Sequence, residues 1–127
     1  MGMELRVMFG PEAPPLWPAV AELLAARGFP VQMRMIDGEL AFPDEPPPEG
    51  WRELRLGTPA GMITLRREAG GVALTTWGNA DKGLRQAWQA LAQACAEVTG
   101  GRVVTAQGPL DAAAFRGVAD LPAALRD

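Results

Sequence analysis

Residues 75–89 read TTWGNADKGLRQAWQ, a strand-like run that passes through a glycine turn into a helix. Such a turn holds phosphate when several backbone N–H groups converge at the helix N-terminus. GNADKG supplies Gly78, Lys82 and Gly83, but it lacks the lysine–hydroxyl pair of a nucleotide P-loop and is not GxGxxG. Asp81 in the first turn would also repel an anion. The stretch therefore predicts a helix start and no phosphate site, with Asn79 as the cap residue.

The other routes to chemistry are narrow. The chain has no histidine, serine or tyrosine, so Ser–His triads and most zinc sites cannot be built. Cys95 is the sole cysteine, which rules out an internal disulfide and a cysteine-only metal site. It falls on the apolar stripe of a helix, which predicts a core residue and not a reactive thiol. Asp44, Glu45 and Glu49 cluster in a proline-rich stretch, but without the alternating ligands and central glycine of a calcium loop. Glu4, Glu39 and Glu53 offer carboxylates for glycoside hydrolysis, yet no spacing singles out a pair. No catalytic residue, cofactor or metal site is expected.

The more informative residues lie on one face of the predicted strands. Strand parity puts Arg6, Arg34, Trp51, Arg55, Arg66 and Trp77 outward, together with Met62, Thr64 and Thr75. Glu4 and Glu53 share that face. Arginine and tryptophan are the residues that interfaces enrich, so this set is the candidate interaction surface. The same residues would otherwise form a solvated face whose long side chains cover one another. Arginine beside tryptophan can also hold single-stranded nucleic acid.

These residues need strands to carry them. ELRVMF alternates Leu5, Val7 and Phe9 with Glu4, Arg6 and Met8, and Gly10-Pro11 ends it. PPLWPAVAELLAARG reads as a helix, with Pro15 and Pro18 near its start and Gly28 as its stop. In VQMRMIDGELAF, Asp37-Gly38 is a two-residue hairpin signal, with Val31, Met33, Met35, Leu40 and Phe42 predicted inward. PDEPPPEG cannot be a strand or a helix interior, because its prolines lack donors and fix φ. WRELRL, MITLRR and VALTTW follow as strands with short links, which favours an antiparallel meander.

Residues 80–98 place Leu84, Trp88, Leu91, Cys95 and Val98 on one helical stripe, with Arg85, Gln86, Gln89, Gln93 and Glu97 opposite, and Gly100-Gly101 as the stop. RVVTA is a short strand, and the tail is helix-prone in two pieces broken at Gly117 and Pro122. The order is β-α-β-β-β-β-β-α-β-α. It predicts a single α+β domain over residues 1–127: a mainly antiparallel sheet of about five to seven strands with two main helices on one face. The intervening helix predicts that the first two strands run parallel.

Composition sets the remaining bounds. With 48% hydrophobic and 21% charged residues the chain is globular. A net charge of −3 disfavours general nucleic-acid binding. No apolar run reaches the roughly 20 residues of a membrane span, and MGMELRVMFG has no signal-peptide core, so a cytoplasmic location is expected. Lys82 is the only lysine among many arginines and Asn79 the only asparagine, a skew that points to a GC-rich bacterial genome. With 12 prolines, the composition also suits a thermophile.

These readings point to a non-enzymatic interaction module: an adaptor, an inhibitor or a homodimer with an unknown protein partner. The alternative is a small-ligand binder or carboxylate-based enzyme using a cleft near the proline-rich loop.

Overall fold

The computed structural model describes residues 2–10 and 17–125. Pro15, in the predicted start of the first helix, lies outside them. The elements are β1 (Gly2–Met8), α1 (Ala19–Ala26), β2 (Gln32–Ile36), β3 (Glu39–Leu40), β4 (Glu53–Thr58), β5 (Gly61–Glu68), β6 (Gly71–Trp77), α2 (Lys82–Thr99), β7 (Arg102–Thr105), β8 (Gly108–Asp111) and α3 (Ala112–Val118). A short 3-10 turn, Ala123–Leu125, follows Pro122.

The strands form one eight-stranded antiparallel sheet in the order β3-β2-β4-β5-β6-β1-β7-β8. The α+β class and the antiparallel meander are as expected, with β8 added to the predicted strands. β1 and β2 do run in the same direction, but β4, β5 and β6 lie between them. α2 carries the chain from β6 over to β7, and β1 fills the gap between those two strands.

Local signals explain the turns. Asp37 and Gly38 both have positive φ, at 50° and 84°, which a tight hairpin between β2 and β3 requires. Thr58 and Thr105 start equivalent turns. Each hydroxyl donates to a glycine carbonyl three residues on, Gly61 or Gly108, at 2.8 Å. Each hydroxyl also accepts from the N–H two residues on, at 3.1 Å. Gly71 is used for space instead. A Cβ there would fall on the Val7 carbonyl oxygen, so glycine lets β1 and β6 close up.

One face of the sheet is the core. Val7, Leu54, Leu56, Ile63, Leu65, Val72, Leu74 and Val103 point inward and are essentially inaccessible. α2 lies across them. Its Leu84, Leu91 and Cys95 are buried as the stripe predicts, and Trp88 is half-buried with its indole N–H donating to the Leu74 carbonyl at 2.9 Å. α1 and α3 flank α2, so Ala90, Ala92, Ala94 and Ala96 are buried as well. Gln93, expected on a solvent face, is buried for the same reason. Each fully buried aliphatic side chain contributes about 1.5–3 kcal/mol.

Several placements differ from the sequence reading. The cap of α2 is Asp81, whose Oδ1 accepts from the Leu84 N–H at 2.9 Å; Asn79 is exposed in the preceding turn. A bulge in β2 between Met33 and Met35 reverses the alternation. Ile36 therefore turns inward opposite Leu54, while Met35 stands outward opposite Arg55. Leu40 pairs with Met35 and is 89% exposed, and Phe42 is 75% exposed, so neither is inward.

Candidate functional site

α1, α2 and α3 pack on the inner face. The outer face carries no helix among the described residues. The register assembles it in rows. Gly57 pairs with Met62; Arg55 with Thr64, then Thr75, then Glu4; Glu53 with Arg66, then Ala73, then Arg6. Paired residues of adjacent strands share a face about 5 Å apart, so these rows are contiguous strips across the sheet.

Five of the six residues assigned to this face from the sequence stand on it. Arg6, Arg34, Arg55, Arg66 and Trp77 are exposed, and Trp77 is 62% accessible. Trp51 is not among them. It lies just before β4, only 3% exposed and packed in the core, with the Arg67 guanidinium carbon 4.5 Å from its ring centroid. Strand parity misplaced it because β4 begins only at Glu53. A large aromatic at a sheet end gains more from burial under a guanidinium than from solvent.

Part of the face neutralises itself. Arg6 Nη2 bonds Glu4 at 3.1 Å, Arg6 Nε bonds Glu68 at 3.1 Å, and Arg66 reaches Glu4 at 3.6 Å. Ala73, flanked by Arg6 and Arg66 in the register, is wholly covered although it faces outward. The small residue lets the long side chains lie flat.

The other part forms no ion pair among the described residues, although exposed Glu53 stands on the same face of β4 two residues from Arg55. No carboxylate lies within ion-pair distance of Arg34, Arg55 or Arg102 among the described residues. Arg34 is held down in the same way as Arg6: a Cβ on Gly57 would come within 2.7 Å of its Nε, so the guanidinium stem crosses β4 over the glycine. Arg34 and Arg55 are bordered by Met35 and Leu40 on the β2–β3 side and by Met62 of β5 on the other, with Trp77 one strand further, on β6, two residues past outward-facing Thr75. Parity alone could not reveal Met35 and Leu40 here, because the bulge that turns Met35 outward leaves no composition signal.

The remaining candidates are placed as follows. Cys95 is fully buried, and burial pushes its thiol up to about 12. Glu45 accepts the Phe42 N–H at 3.1 Å, and the Glu49 carbonyl accepts from Arg67 at 3.1 Å, so both help shape the proline-rich loop. No cluster of three or more metal-ligating side chains occurs among the described residues. A cleft of about 300 Å³ lies between α1 and the proline-rich loop, lined mainly by apolar groups of Trp17, Ala21, Ala25, Val31, Pro43 and Pro46. No helix among the described residues is long and apolar enough to cross a membrane.

The architecture is that of an α+β protein with an open-faced antiparallel sheet: helices on one side, an arginine-rich surface on the other. Comparison with protein-family models, with curated proteins and with solved structures found no match to this chain.

Proposed function

We propose that the protein is a non-enzymatic interaction module, an adaptor or inhibitor acting in the cytoplasm, that engages a protein partner through the outer sheet face. The supporting observation is the exposed Trp77 on a face that carries no helix among the described residues and where Arg34 and Arg55 stand without an ion pair, although the whole chain carries −3. Two copies meeting face to face would oppose their surplus arginines, which favours a different partner over an isologous homodimer. Affinity capture from the native host's lysate tests this. One protein should be recovered near stoichiometrically and lost with a Trp77→Ala, Arg66→Gln double variant that still folds. Capture unaffected by the double variant contradicts the proposal.

The cleft beside the proline-rich loop supports a second reading, a small-ligand binder. A compound seated there raises the melting temperature by mass action. A metabolite screen by thermal shift tests it, and Ala21→Trp, which fills the cleft, should abolish any shift found.

A further inference from the structure

We infer that the Arg34–Arg55–Trp77 quarter of the outer face takes an acidic polypeptide segment that also carries apolar side chains. This rests on the interaction reading above and specifies its partner. The two halves of the face differ in charge balance. Around β1, the arginines already have carboxylates: Arg6 holds Glu4 and Glu68, and Arg66 holds Glu4. Around β4, Arg34 and Arg55 are exposed with no carboxylate within ion-pair distance among the described residues. Arg102, on β7, is also without an ion pair among the described residues but stands apart at the far end of the sheet. On β2 to β6, among the described residues, an incoming carboxylate meets outer-face guanidiniums without a carboxylate partner on the β4 side, in the charge-assisted geometry that arginine forms best.

Arg34 is also preorganised. It lies across Gly57, so less side-chain freedom is lost when it binds. The apolar neighbours complete the match. Leu40 is 89% exposed and Trp77 62%, with Met35 and Met62 half-buried between them and the arginines. A purely acidic chain would leave these groups uncovered, and a purely apolar one would leave the guanidiniums unpaired. Single-stranded nucleic acid fits less well. Of the groups that border the two arginines, Met35, Leu40 and Met62 offer no ring for base stacking, and the chain lacks the net basic charge that phosphate tracking needs.

The test is selection of the folded protein against a random-peptide display library, followed by titration of the enriched peptides and of a single-stranded oligonucleotide. Enriched peptides should combine Asp or Glu with Leu, Phe or Trp, and should bind more weakly at high salt. Arg55→Gln and Arg34→Gln should each weaken them about tenfold, the loss of one charge-assisted contact. Gly57→Ala should have a comparable effect by lifting Arg34, while Arg6→Gln should change little.

Enriched peptides that are neutral or basic, or acidic ones indifferent to Arg34→Gln and Arg55→Gln, overturn the inference. If such peptides still depend on Trp77, the face remains an interaction surface and only its specificity was misread. If no peptide is enriched, or binding ignores Trp77→Ala as well, both readings fall. An oligonucleotide that binds more tightly than any peptide also overturns the inference.

Discussion

Arg27 at the C-terminal end of α1 grips Glu97 of α2 with both terminal nitrogens, at 3.1 and 2.8 Å. Gln93 donates to the same carboxylate at 2.9 Å, and Arg116 of α3 lies 3.8 Å away. One carboxylate thus ties the three helices together above the sheet. Partial burial raises its pKa, but the hydrogen bonds from Arg27 and Gln93 and the charges of Arg27 and Arg116 outweigh this, and the net shift is downward from 4.5. A depressed folded-state pKa contributes stability above the unfolded pKa, and this is lost as pH falls through the folded value. Glu97→Gln should therefore cost about 1–2 kcal/mol at neutral pH, discounted for partial exposure, and less in acid. Urea denaturation of both proteins across that pH range checks it.

Asp81, not Asn79, caps α2. Asp81→Ala should lower stability by about 1 kcal/mol, and Asn79→Ala should lower it by much less. Parallel denaturation curves of the two variants decide the assignment.

Cys95 is buried against the sheet with its thiol raised to about 12. It should react with a thiol reagent only when α2 opens, at a rate that rises with denaturant. Fast labelling of the native protein would show instead that the helix lies open there.

Gly71 permits the close approach of β6 to β1, and a Cβ there meets backbone and not a movable side chain. Gly71→Ala should destabilise strongly, by several kcal/mol, as overpacking against fixed atoms does. Gly57→Ala meets only the flexible Arg34 and should fold nearly as well. Thermal melts of the two variants separate the cases.

Most of the fold was legible wherever local chemistry acts alone. The Asp37-Gly38 hairpin, the apolar stripe of Leu84, Leu91 and Cys95, and the left-handed Gly100 ending α2 all stand as read. The failures share a cause: the deciding contact is remote in sequence. Asn79 and Asp81 are both good caps, and the start of the Leu84 stripe chooses between them. The bulge at Arg34 is set by the pairing of β2 with β4, and it moves Met35, Leu40 and Ile36 to unexpected faces. Trp51 is buried because the inner face has room under Arg67, which strand parity cannot express. The candidate surface was legible as an arginine and tryptophan face. Its division into paired and unpaired arginines required the register that sets Arg6 and Arg66 on either side of Ala73, both within reach of Glu4.

The most direct measurement is side-chain footprinting of the protein alone and in its captured complex, by hydroxyl-radical oxidation read by mass spectrometry. Trp77 and Met62 should be protected in the complex, while exposed Val118 on the helical side keeps its free-state reactivity. Protection of the helical side or of the cleft beside the proline-rich loop, with Trp77 as reactive as before, would contradict the account.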